Sequence, residues 1–178
     1  MCDLAKCSVF EVKNEYYTQK KMWENIKHLI PQDKIIWESC MWNSPSKSME
    51  YWRELGYEVV GDTNWDMLNC KIPNYDICIT NPPFETKIKT AILKKLVELD
   101  KPFILVMNTT NLFTNYMRKI FGEKIKYLQV VIPQGKICFE EYDPENDIMV
   151  NCKRQPAFYC SYICYKLNIP QEELWLKK

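Results

Sequence analysis

Short apolar runs bounded by Gly, Pro, Asn or Asp alternate along this chain with segments whose apolar positions lie three and four apart. That is the pattern of strands alternating with amphipathic helices. Lys34 to Glu38 reads as a strand, as do Tyr57 to Gly61, Tyr75 to Thr80, Phe103 to Met107 and Tyr127 to Ile132. A short strand is predicted at Lys136 to Phe139 and a long final one from Phe158 to Lys166. Helical spacing runs from Tyr16 to Ile30, from a Ser44-Pro45 start to Leu55, from Ile88 to Leu99 and from Leu112 to Phe121. Pro31, Gly56 and Gly122 stop the first, second and fourth of these. Such alternation predicts an α/β doubly wound domain with a mostly parallel sheet and helices on both faces. The polar stretch 133–155, acidic at "EEYDPEND", is too long for a simple connection and is expected to be a mobile lid or target-reading loop.

Length and composition narrow the picture. A chain of 178 residues suits one domain with a single core, leaving no room for a second, target-reading domain. No run approaches the ~20 apolar residues of a membrane span, and the first residues lack the apolar stretch of a secretory signal, so a cytoplasmic protein is expected. The nine cysteines are odd in number and scattered, and Cys78, Cys160 and Cys164 fall inside apolar strand patterns, which reads as reduced thiols packed as small hydrophobes. With His28 the only histidine, and Cys160 and Cys164 spaced unlike a zinc knuckle, neither a metal site nor a histidine-based nucleophile is expected. Net charge is +1, so any nucleic-acid footprint must be local. The local basic groups are nearly all lysine, which gives charge with little bidentate base readout.

The chemistry concentrates in Asn81-Pro82-Pro83-Phe84, at the end of the third strand and ahead of the third helix. Open α/β sheets bind ligands at such carboxyl ends. An exocyclic amine is a poor nucleophile because its lone pair is delocalised into the ring; two hydrogen-bond acceptors on its N–H groups turn that lone pair outward. Asn81 offers a side-chain carbonyl and Pro82 a backbone one, and consecutive prolines hold both in place. Phe84 offers a flat face for an extruded base, and Lys87 and Lys89 stand where a phosphate backbone would pass. The bland alternative is a rigid strand-to-helix turn with Asn81 as a cap and Phe84 in the core.

The "NPPF" motif resembles the catalytic loop of the S-adenosylmethionine-dependent N6-adenine DNA methyltransferases. A longer stretch, from "YYTQKKMWENI" through "KIIWESCMWNS", "LGYEVVGDTNWDML" and "YDICITNPPF" to "SYICYKL", is similar to small members from phages and large DNA viruses. The resemblance implies a Rossmann-like methyltransferase domain. Since only about ten residues separate Asp66 from Asp76, one edge of the usual seven-stranded sheet should be missing. It further implies S-adenosylmethionine as cofactor, with Glu38 on its ammonium group, Asp62 on the ribose, Asp66 on the adenine amine, and Tyr17 and Thr18 closing over the methionine carboxylate. DNA, or RNA, becomes the expected partner, with Lys136 and Phe139 joining Lys87 and Lys89 as substrate contacts, and a homodimer would enlarge the reading surface. The chain departs from the family at the cofactor turn, where Trp42 and Ser44 replace glycines and only Asn43 readily takes a positive φ; an indole there is expected to weaken cofactor binding. RNA adenine or a protein glutamine amide are alternative substrates of the same loop chemistry, and a non-catalytic, methyltransferase-like binding subunit is the third reading.

Overall fold

The computed structural model describes residues 16–41, 44–64 and 66–176. Six strands form the main sheet: β2 (Ile35–Trp37), β3 (Glu58–Val60), β4 (Ile77–Thr80), β5 (Phe103–Asn108), β6 (Leu128–Val131) and β9 (Cys160–Tyr165). Their order is β3-β2-β4-β5-β9-β6, parallel from β3 to β5, with β9 running antiparallel between β5 and β6. This is a Rossmann-like α/β domain, and the sheet ends at β3, where the short 66–76 segment leaves no further strand.

Strand residues sort alternately to the two faces, as the two-residue period of a strand requires. Along β5, Ile104 and Val106 point to one face, with Ile36, Ile77, Ile79 and Tyr162. That face is covered by α1 (Lys20–Glu24) through Met22 and Trp23, and by α2 (Ser48–Glu54) through Met49 and Trp52. Phe103, Leu105 and Met107 point to the other, where α3 (Thr86–Leu99) lays Ile92, Leu93 and Leu96 and α4 (Asn115–Phe121) lays Met117 and Phe121. Burial on both faces is why these strands read as continuous apolar runs.

Several boundaries differ from the sequence reading: the strand expected at Lys136 to Phe139 starts only at Phe139, and the first and fourth helices are shorter than their periodicity suggests. Tyr17–Thr18 forms a short strand, β1, rather than the start of a helix, because it pairs with β7 (Phe139–Asp143). The second helix starts at Ser48 instead of Ser44-Pro45: the Ser44 hydroxyl accepts from the Ser46 N–H and the Ser46 hydroxyl from the Ser48 N–H, holding that stretch in two local turns. The segment from Pro133 to Gln155 carries an antiparallel hairpin, β7 with β8 (Ile148–Asn151), which with β1 makes a second, three-stranded sheet. Among the described residues no helix is long and apolar enough to cross a membrane. His28 lies at the surface, 3.1 Å from Glu173, and the described cysteines are free thiols.

Candidate active site

The chain folds back where it passes from β3 across β2 to β4, so the carboxyl ends of β2 and β4 lie side by side at a topological switch point. Glu38 follows the first and Asn81 the second. Both line a pocket of about 300 Å³, together with Tyr17, Thr18, Pro82 and Pro83. Six residues that sequence reasoning assigned to a cofactor or a catalytic loop are thereby brought together.

Asn81 is held in a defined orientation. Its Nδ2 donates to the Tyr16 carbonyl at 2.7 Å, an interaction only the amide nitrogen can make, which fixes Oδ1 as the other atom. That Oδ1 is buried and has no hydrogen-bond partner among the described residues. A buried acceptor left unpaired costs about 1–3 kcal/mol. Asn81 does not cap the following helix, whose N-cap position is Glu85.

Glu38 is 3% exposed. Its carboxylate accepts from the Ser48 hydroxyl at 2.5 Å, from the Thr80 hydroxyl and from the Cys40 N–H at 3.2 Å. Burial pushes its carboxyl above the usual carboxylate range, against these hydrogen bonds. The Cys40 thiol beside it is pushed up to about 12, by burial first and by the Glu38 charge second. No cation among the described residues pairs with Glu38. Two residues lining the same pocket carry further buried polar atoms without partners among the described residues: Thr18 Oγ1 and the Trp23 indole Nε1. Trp23 was missed by sequence reasoning, since a tryptophan at helical spacing reads only as core. A lone buried carboxylate facing two orphan groups able to donate hydrogen bonds suits a ligand with a cationic and an anionic end.

The remaining assigned residues are more dispersed, and Asp62 lines neither this pocket nor the cavity beside it. Asp66 lines a second, more apolar cavity of about 200 Å³ with Met67 and Ile92; Cys40, Pro83 and Ile88 border both cavities. Its carboxylate also caps its own turn, accepting from the Leu68 N–H and the Asn69 side chain. Asp62 likewise accepts from the Asn64 backbone and side chain at 2.7 and 3.0 Å. Trp42 and Asn43 lie outside the described residues; Ser44 lines the 300 Å³ pocket.

Phe84 sits beside the pocket rather than in its wall. Its ring, half-buried, meets Tyr16 and Phe139 edge-on at 5.8 and 5.9 Å and Phe158 at 5.2 Å. Phe139, expected to contact substrate, is 1% exposed and forms part of this cluster, because as the first residue of β7 it faces the core. Lys89, expected beside a phosphate path, is 6% exposed: on α3 it faces inward with Ile92 and Leu93, and its Nζ reaches back to the Phe84 carbonyl at 3.4 Å. Burial lowers its pKa. Lys87 is exposed, and Lys136 lies over the Tyr159 ring.

No family model and no curated protein matches the sequence. Among solved structures the chain is similar to a SAM-dependent O-methyltransferase from Thermotoga maritima, at 13% identity and a TM-score of 0.43 over 84% of this chain and 66% of that one. It is similar to a dimethyladenosine transferase from Plasmodium falciparum, at 13% identity and 0.48 over 89% and 64%. A tRNA (m1A58) methyltransferase from Aquifex aeolicus gives 13% and 0.43 over 88% and 72%. This chain spans less than two thirds of the length of the first two.

Proposed function

We propose that this chain transfers a methyl group from S-adenosylmethionine to the N6 amino group of adenine in DNA. The observation that carries the reading is Asn81 Oδ1: a buried acceptor without a partner, aimed by the Tyr16 carbonyl, at the end of β4 and beside the Glu38 pocket. Asn81 takes one N–H of the target amine and the Pro82 carbonyl the other. With both bonds made, the nitrogen lone pair is freed from the ring for in-line attack. The prolines fix the loop beforehand, so the acceptors need no reorganisation as charge builds on nitrogen. No strong base is required, because the amine becomes acidic once alkylated.

The residues of the pocket fit the methyl donor's amino-acid end. Glu38 receives the ammonium group and the Thr18 hydroxyl and Trp23 N–H the carboxylate, which leaves Asn81 Oδ1, of the orphan atoms on pocket-lining residues, for the target amine. Asp66, at the rim of the apolar cavity, holds the adenine amine, and Asp62 the ribose. The donor, when bound, supplies an electrophilic methyl group on a sulfonium.

The test is transfer of radiolabelled methyl groups to unmethylated DNA and RNA, followed by nucleoside analysis. N6-methyladenine from DNA is expected; label in RNA or in protein glutamine would move the reading to those substrates. Asn81→Ala, folded by its melting curve, is expected to lose on the order of 10²-fold or more in rate. Near wild-type turnover by that variant would remove the loop from the mechanism.

A further inference from the structure

Beyond the pocket, the carboxyl edge of the sheet presents two aromatic rings to solvent: Phe113, in the turn after β5 and 87% exposed, and Tyr159, which alone of the two has a lysine over its ring. Tyr159, immediately before β9, is 68% exposed. Its backbone is fixed: the Tyr159 carbonyl accepts from the Thr109 N–H at 2.9 Å, which anchors it to the end of β5, while the ring stays free. Lys136 Nζ lies 5.7 Å from the ring centroid, within cation–π range. The adjoining residue, Phe158, packs on Phe84, so Tyr159 stands one aromatic step from the Asn81 loop.

The charge on this side is not neutralised. Lys136 is the cation beside the ring, since Lys89 is buried on α3. Lys136 has no carboxylate partner among the described residues. The opposite edge of the sheet gives the contrast. There Lys166 and Lys126 cover Tyr127 at 5.5 and 5.2 Å, but Lys166 is paired with Asp100 at 2.5 Å. A lysine over a tyrosine is thus ordinary on this surface, and Lys126 too has no carboxylate partner among the described residues; Tyr159 differs in being 68% exposed, against 41% for Tyr127, and in lying at the edge that carries the pocket. The acidic hairpin tip, with Asp143, Glu145 and Asp147 between β7 and β8, turns away toward Ser44 and Asn64, where Tyr142 and Pro144 line a separate cleft. A polyanion is therefore steered to the Tyr159 side.

We propose that Tyr159 and Lys136 form a stacking platform for the nucleotide next to the one entering the site, so that this chain engages a strand with unpaired bases in preference to an intact duplex. The inference rests on the nucleic-acid reading above and names the form of the substrate. A base in a duplex already has both faces stacked, whereas an unpaired one gains a partner on Tyr159 while Lys136 takes the adjoining phosphate.

Fluorescence anisotropy of short labelled oligonucleotides, single-stranded DNA, single-stranded RNA and duplex DNA, tests this with the full chain. Single strands are expected to bind more tightly than the duplex. Tyr159→Ala is expected to weaken single-strand binding roughly 5- to 150-fold, the range of base-on-aromatic stacking, and Tyr159→Trp to retain it. Lys136→Met is expected to reduce the slope of log affinity against log salt by about 0.7. Tyr127→Ala, at the wrong edge, is the control and should bind as wild type. Melting curves establish that each variant is folded. Duplex binding at least as tight as single-strand binding, an unaffected Tyr159→Ala, or an equal loss in Tyr127→Ala would each overturn the platform while leaving nucleic-acid binding intact. No binding of any oligonucleotide would overturn the platform together with the nucleic-acid reading, and titration with S-adenosylhomocysteine would then report separately on the methyl-donor pocket.

Discussion

Single atoms carry the functional argument at the residue scale. Among the described residues, Asn81 Oδ1, Thr18 Oγ1 and Trp23 Nε1 are buried without partners, and Glu38 is a buried carboxylate without a cation. Folding leaves these groups in deficit, and the zwitterionic ligand and target amine proposed above would remove it. Glu38 makes this measurable through pH. Its folded-state pKa is raised, so its contribution to stability is fully present at low pH, below its unfolded value, where the side chain is neutral. That contribution is lost as pH rises through the folded value. Glu38→Gln is therefore expected to melt higher than wild type at neutral pH without ligand, with the gap closing in acid. Binding runs the other way. An ammonium group requires the carboxylate, so affinity for S-adenosylhomocysteine should rise with pH through the raised Glu38 value and flatten above it, and the Gln variant should bind weakly at every pH. Calorimetric titration across the carboxylate range checks this; a parallel profile in the Gln variant would mean that another group titrates.

Elements bring these atoms together by close approach. Glu38 N–H donates to the Val60 carbonyl, continuing the β2–β3 pairing past the end of the strand. The next residue, Gly61, lies so near that an added Cβ would stand 2.5 Å from the Glu38 backbone oxygen and 3.2 Å from Met49 Sδ. A strand-ending glycine reads from sequence as punctuation, but here it lets β3 and α2 meet at the acid that lines the pocket. Gly61→Ala is expected to destabilise the protein by about 1–3 kcal/mol through overpacking. It should also weaken S-adenosylhomocysteine binding, because backbone is what the new methyl meets. Melting curves and titration of the same preparation check both; a variant matching wild type in both would show that the strand ends yield freely. The hairpin acts similarly: the pairing of Tyr17 with Glu140 brings β1, and with it Thr18, against the pocket.

At the scale of the whole molecule, the pocket lies at the junction of elements distant in sequence: β1, α1, the ends of β2 and β4, the turn before α2 and the start of α3. Filling it should bind them to one another. S-adenosylhomocysteine at about 100 times its dissociation constant is expected to add roughly 2.7 kcal/mol, or about 5–10 °C in Tm for a domain of this size. 5′-Methylthioadenosine, which lacks the amino-acid end, should raise Tm by less. Equal shifts from the two ligands would show that Glu38, Thr18 and Trp23 contribute nothing to recognition.

What the sequence determined by itself was local: strand and helix periods, the missing edge strand, the NPPF loop between β4 and α3, and the acids at strand ends. These follow from φ restriction, side-chain spacing and chain length, which act over a few residues. The tertiary structure alone decided which way side chains face and which polar groups remain unsatisfied. Lys87 and Lys89 are indistinguishable in sequence, yet two positions turn a helix by about 200° and bury the second. Phe139 and Tyr159 are both aromatics beside strands, but pairing with β1 buries one, while the other is held by its backbone with its ring outside. β9, last of the strands, slips antiparallel between β5 and β6, and so sets Tyr159 at the carboxyl edge, next to the Phe158 that packs on Phe84. Burial is a property of the packed whole, and only burial converts a tryptophan N–H or an asparagine oxygen from an ordinary solvated group into one that calls for a ligand.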